Sequence, residues 1–172
     1  VAITTVNDLT TGAAITTEGA GTATLTSTGG NVALNQNVTT ATGDVTVSAA
    51  AGSISQALAR VIRTDGGDVE LVSGTGVGAV GAPVALDMRA GGTVAAAGGT
   101  GDAILNLRDT NGGGAPTVVV GTVGGTSGIT ADGNVTINAG TGANPVDLDV
   151  QQAVTSTNAD IAITGSSTFD AT

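Results

Sequence analysis

At 172 residues the chain has the size of one domain, residues 1–172, and 40% hydrophobic against 10% charged residues excludes a disordered polypeptide. With no Trp or Tyr, one Phe and one Met against 29 glycines, its interior has to be narrow and aliphatic. A net charge of −10, from 14 acids, four arginines and no lysine, argues against nucleic acid and anionic membranes as partners, since both reward basic patches.

The chain opens in strand-like Val1-Ala2-Ile3-Thr4-Thr5-Val6. Thr22, Thr24, Thr26 and Thr28 then alternate with Ala23, Leu25 and Ser27, the period-two pattern of a half-buried strand. Next comes Gly29-Gly30-Asn31-Val32-Ala33-Leu34: a glycine turn, an Asn, then alternating aliphatics. The phrase returns as Thr42-Gly43-Asp44-Val45-Thr46-Val47, as Gly66-Gly67-Asp68-Val69-Glu70-Leu71, and as Asp132-Gly133-Asn134-Val135-Thr136-Ile137. A looser copy is Asn158-Ala159-Asp160-Ile161-Ala162-Ile163. One strand-sized unit recurring with one turn chemistry predicts a solenoid. Ser53 to Arg63 has some helical flavour, but an excursion between strands is the preferred reading. Pro83, Pro116 and Pro145 each stand just before an aliphatic run, where the missing N–H costs no ladder bond. Two of them share a frame: Gly74-Thr75-Gly76 leads to Pro83-Val84-Ala85-Leu86, and Gly140-Thr141-Gly142 leads to Pro145-Val146-Asp147-Leu148, a repeated corner.

The spacing sets the pitch. Val45 to Val69 is 24 residues, Val69 to Val94 is 25 and Val94 to Val118 is 24; the step then drops to 17 at Val135, and 26 more reach Ile161. A second family interleaves: Val32, Ile54, Val84, Ile104, Ile129 and Val146. Two strand families with a period near 24 residues predict an all-β fold, a parallel β-helix of about seven coils with at least two sheet faces. At ~4.8 Å per strand the rod is on the order of 30–35 Å long. The Gly-Thr-Gly…Pro-Val-x-Leu corner and the Gly-Asp-Val-x-Leu strand openings, over roughly residues 29 to 164, resemble the repeats of filamentous-haemagglutinin-like surface proteins. That resemblance implies a right-handed β-helix, secreted by a bacterium to the cell surface or beyond, and used as an adhesin or surface fibre.

Candidate chemistry is sparse. Asp147 and Asp149 alternate with Val146, Leu148 and Val150, so both should face outward and could ligate calcium; a solvated, like-charged strand face that resists edge association is the competing reading. Gly98-Gly99-Thr100-Gly101-Asp102 is one residue short of the calcium-binding nonapeptide and not tandem. The strand-entry acids and amides Asn31, Asp44, Asp68, Asn134 and Asp160 are expected to bond their own turns, and also up and down the rod if the turns stack. The Thr row would suit ice only if neighbouring coils repeated it, but Thr46 and Glu70 hold the comparable positions. With no His or Cys, and with Arg60, Arg63, Arg89 and Arg108 close to Asp65, Asp68, Asp87 and Asp109, ion pairs are expected and catalysis and cofactors are not. Asn37-Val38-Thr39 and Asn134-Val135-Thr136 match the glycosylation signal.

Neither a disulfide framework nor a membrane-spanning run is present, and no signal sequence opens the chain, which reads as a mature protein or an excised segment. No capping helix is foreseen at either end. The expectation is therefore a structural protein, a subunit or segment of an extracellular fibre. It would assemble through its end strands or by strand addition, with Val1, Ile3, Val6, Ile161, Ile163 and Phe169 as the assembly residues. An adhesin shaft recognising a glycan or a receptor on a cell surface, and a calcium-dependent solenoid, are the alternatives.

Overall fold

The computed structural model describes residues 1–112, 114–140, 144–165 and, as strand backbone, 169–171. Among them there is no helix; the chain winds through about seven stacked coils whose strands form parallel ladders. One face carries Ala2–Thr5, Ala23–Ser27, Val45–Ala49, Val69–Ser73 and Gly92–Ala97, each paired with the strand one coil away. A second face stacks Leu9–Thr10, Val32–Leu34, Ser53–Gln56 and Gly76–Val77. A third stacks Ile15–Thr16, Val38–Thr39, Ile62–Thr64 and Val84–Met88.

The second and third faces then merge. Ala103–Arg108 is an unbroken six-residue strand that pairs at its start with Val77 and along Val84–Asp87. It can do so because the preceding coil pinches off Ala79–Ala82 as a two-residue turn, closed by reciprocal N–H to carbonyl bonds of 3.0 and 2.9 Å. Val135–Ala139 and Ile161–Gly165 continue the merged face.

The first face does the opposite and splits. Gly92–Ala97 pairs with Thr117–Val120 along its first half and with Ile129–Ala131 along its second. Between these two strands, Thr122–Val123 and Thr126–Ser127 form an antiparallel hairpin that leaves the sheet. The next coil repeats the split as Asp147–Val150 and Val154–Ser156, and Phe169–Ala171 pairs beyond Asp147–Val150.

These events explain where the spacing departs from a constant step. Val45, Val69 and Val94 are in register as expected, but Val94 pairs with Val120, and Val118 pairs with Gly92. Val135 and Ile161 are partners of each other on the merged face, 26 residues apart, and Val135 lies over Ala103. In the second family Val32 and Ile54 do stack; Val84 belongs to the third face, Ile129 to the first, and Val146 is buried just ahead of a strand. The Ser53 to Arg63 stretch is strand at both ends, with Ala57 to Val61 as the turn between them. The shared Gly-Thr-Gly frame is not one corner: Gly74–Gly76 lies between the first and second faces, whereas Gly140 follows Val135–Ala139, and Thr141 and Gly142 lie outside the described residues.

The core is a stack of aliphatic columns. Leu25, Val47 and Leu71 on the first face, Val32 and Ile54 on the second, and Val38, Ile62 and Leu86 on the third are all buried. Each such side chain contributes roughly 1.5–3 kcal/mol, so like-on-like stacking replaces the aromatic mass the chain lacks. The corners are tight for the same reason. A Cβ on Gly43 would fall on the carbonyl oxygen of Gly21, and one on Gly67 on that of Gly43. Backbones at the spacing of paired strands leave no room for a side chain aimed along the rod.

Candidate functional site

Of the strand-entry acids and amides, Asn31, Asp44, Asp68 and Asn134 are inter-coil fasteners through their side chains, while Asp160 takes part through its N–H. Asn31 N–H donates to Asp8 Oδ1 at 2.7 Å, and Ser53 N–H to Asn31 Oδ1 at 2.9 Å. Higher on the same corner, Asn134 N–H donates to Asp102 Oδ1 at 2.7 Å and Asp160 N–H to Asn134 Oδ1 at 3.4 Å. At the corner entering the first face, Asp68 N–H bonds Asp44 Oδ1 at 2.9 Å and Thr93 N–H bonds Asp68 Oδ1 at 2.7 Å. In every case the oxygen belongs to the earlier coil and the N–H to the next. The expected bond to the residue's own turn is replaced by the contact along the rod, because stacking brings the neighbouring amide as close as any local one. Asp102, the acid of the shortened nonapeptide, is one of these fasteners. Both sequon asparagines are engaged as well: Asn37 Oδ1 accepts Val61 N–H at 3.1 Å, and Asn134 Nδ2 donates to Asp102 Oδ1 at 3.3 Å.

The most concentrated polar group sits on the third face, where register puts Arg63, Asp87 and Arg108 on successive coils. The Asp87 side chain is fully buried. Its Oδ2 accepts Arg63 Nε at 2.7 Å, Arg89 Nε at 3.4 Å and the Thr110 hydroxyl at 2.6 Å, while Oδ1 accepts Thr110 N–H at 2.9 Å. Burial by itself would raise the Asp87 carboxyl. The Thr110 hydroxyl and N–H and the Arg63 guanidinium outweigh it and hold the group below its ordinary value of 3.8. Arg89 also approaches Asp65 at 4.0 Å. Arg108 Nε is buried without a hydrogen-bond partner among the described residues. Donors from Arg63, Arg89 and Thr110 around one ionised acid make a clamp across three coils.

A second buried acid was not foreseen. Glu70 faces outward from the first face, yet the hairpin folds over it: Glu70 Oε1 accepts Gly125 N–H at 3.1 Å and the Thr126 hydroxyl at 2.8 Å. The hairpin closes at its base through Gly128 N–H to Gly121 O at 2.7 Å. It therefore straps a coil two turns away and ends the Thr-bearing face, on which Thr24 stacks under Thr46 and Thr26 under Ser48. The Gly124-Gly125 pair was the available signal, but nothing in the sequence linked it to Glu70.

Asp147 and Asp149 flank inward-facing Leu148 on one strand, as alternation requires, and Asp149 Oδ2 accepts Gln151 Nε2 at 2.6 Å. Among the described residues no three Asp, Glu, His or Cys side chains converge as a metal-ligand set.

The end coils carry the remaining candidates. Ile3 lies in register with Leu25, an interior position, yet is 42% exposed where Leu25 is 0%. Ile161 lies in register with Val135 and is 46% exposed against 0%. Ile163, beside it in the same strand, is partly buried against the core. Val1 is exposed next to Ile3, with its ammonium donating to Thr22 O at 2.6 Å; Val6 is exposed in the turn that follows the first strand. Phe169 lies in the strand paired with Leu148, and its side chain is outside the described residues. The Val1/Ile3 pair and the Ile161/Ile163 pair thus stand at opposite ends of the stack. No family model, curated protein or solved structure matches this chain.

Proposed function

We propose that the chain is a structural, non-catalytic β-solenoid, a subunit or segment of an extracellular filament or surface fibre of the filamentous-haemagglutinin-like kind. The observation that carries the reading is the stack itself: strands of successive coils pair in parallel over continuous buried aliphatic columns, an arrangement that extends by adding coils. Ile3 and Ile161 occupy positions that are fully buried one coil further in, and both are about half exposed. A further coil, from the same polypeptide or from a second copy, would cover them and pair the strand edges on which they sit. Replacing both with Asp should leave the interior coils folded while reducing end-to-end association. Electron microscopy of the protein at rising concentration tests this: short rods that lengthen in the wild type and stay dispersed in I3D/I161D support the proposal. Monomers of one length in both, when the natural protein carries no flanking coils, would sink it.

A further inference from the structure

We propose that Asn111 is a site of spontaneous covalent modification, the deamidation of an asparagine by the amide of the glycine that follows it. Asn111-Gly112 is the one place in the chain where Asn precedes Gly. It sits in the loop joining Ala103–Arg108 to Thr117–Val120, and both residues are exposed. A Cβ on Gly112 would meet nothing within 4 Å, and the residue has φ of +71°, so the chain here is open to solvent and the residue after Asn111 has no side chain to crowd its own nitrogen. The loop anchors one side of the pair: Asn111 N–H donates to Asp109 Oδ1 at 2.7 Å.

The chemistry needs only water. The Gly112 nitrogen, on losing its proton, attacks Cγ of Asn111. The N–Cγ bond forms, the Cγ–Nδ2 bond breaks, and Nδ2 departs as ammonia with the proton taken from Gly112. Water then opens the five-membered imide at one carbonyl or the other. Opening at Cγ gives aspartate; opening at the main-chain carbon gives the isoaspartyl linkage, which lengthens the backbone by one carbon. Either product adds a negative charge beside Asp109 and Arg89, which line the same surface cleft.

Every other asparagine precedes a residue that carries a side chain, which crowds the attacking nitrogen or, at Asn144-Pro145, replaces its proton. Asn31 and Asn134 are held by their inter-coil bonds and precede valine, whose branched side chain crowds the attacking nitrogen. The test is peptide mapping by mass spectrometry of the intact protein held at neutral and at mildly alkaline pH. Isoaspartate is detected by enzymatic methylation. The expected result is ammonia loss at Asn111 ahead of every other asparagine, faster at the higher pH, severalfold slower in G112A and absent at that position in N111Q. Circular dichroism of each variant confirms that the coils remain folded. Conversion of another asparagine first, or an unchanged rate in a folded G112A, would overturn the proposal.

Discussion

At the scale of single residues, Asp87 is the position on which most depends. Its carboxylate is buried, ionised and shared by donors from three coils. Truncation in D87A would leave the Arg63 and Thr110 donors without their acceptor, at about 3 kcal/mol, a loss read as a lower Tm. The pH dependence follows from the direction of its shift. The folded carboxyl titrates below the ordinary 3.8, so the clamp stabilises the protein fully above that value and is lost as pH falls below it. Acid unfolding should therefore steepen below about pH 4 in the wild type, and D87N should flatten that limb. In sequence Asp87 was only one of several acids near an arginine, because the register of three coils, not proximity along the chain, gathers its partners.

The strand-to-strand scale is governed by how closely coils stack. G67A would set a methyl group against the backbone of the coil beneath, with no side chain to move aside, and should cost about 3 kcal/mol in thermal or urea unfolding. The hairpin over Glu70 is a separable element. E70Q weakens two charge-assisted bonds, and hydrogen exchange over Thr122–Ser127 should speed up while the interior strands remain protected. Strand existence was legible from alternation: Val45–Ala49, Val69–Ser73 and Val135–Ala139 begin where Gly-Asp or Gly-Asn points to them. Register after Val94 was not. The step from Val94 to its partner Val120 is already 26 residues, and the inserted hairpin then adds residues without adding a coil; a fixed period has no means of discounting either.

For the whole molecule, the stacked coils make a rod held by its aliphatic columns and corner bonds. Chelation should leave melting and assembly unchanged, because the outward acids at the corners already serve as acceptors for backbone N–H groups and Asp149 for Gln151. A chelator-induced fall in Tm would instead favour the calcium-dependent reading. The sequence by itself determined the architecture: glycine corners, Asx strand entries and aliphatic alternation at about 24 residues allow little but stacked parallel coils, since only stacking buries so narrow an apolar stripe. The tertiary structure alone decided which coils lie in register, that two faces merge at Ala103–Arg108, and that Asp87, Glu70 and the corner acids fasten one coil to another. Those partners lie 23 to 56 residues apart, and a local pattern carries no record of which distant backbone will arrive at hydrogen-bonding distance.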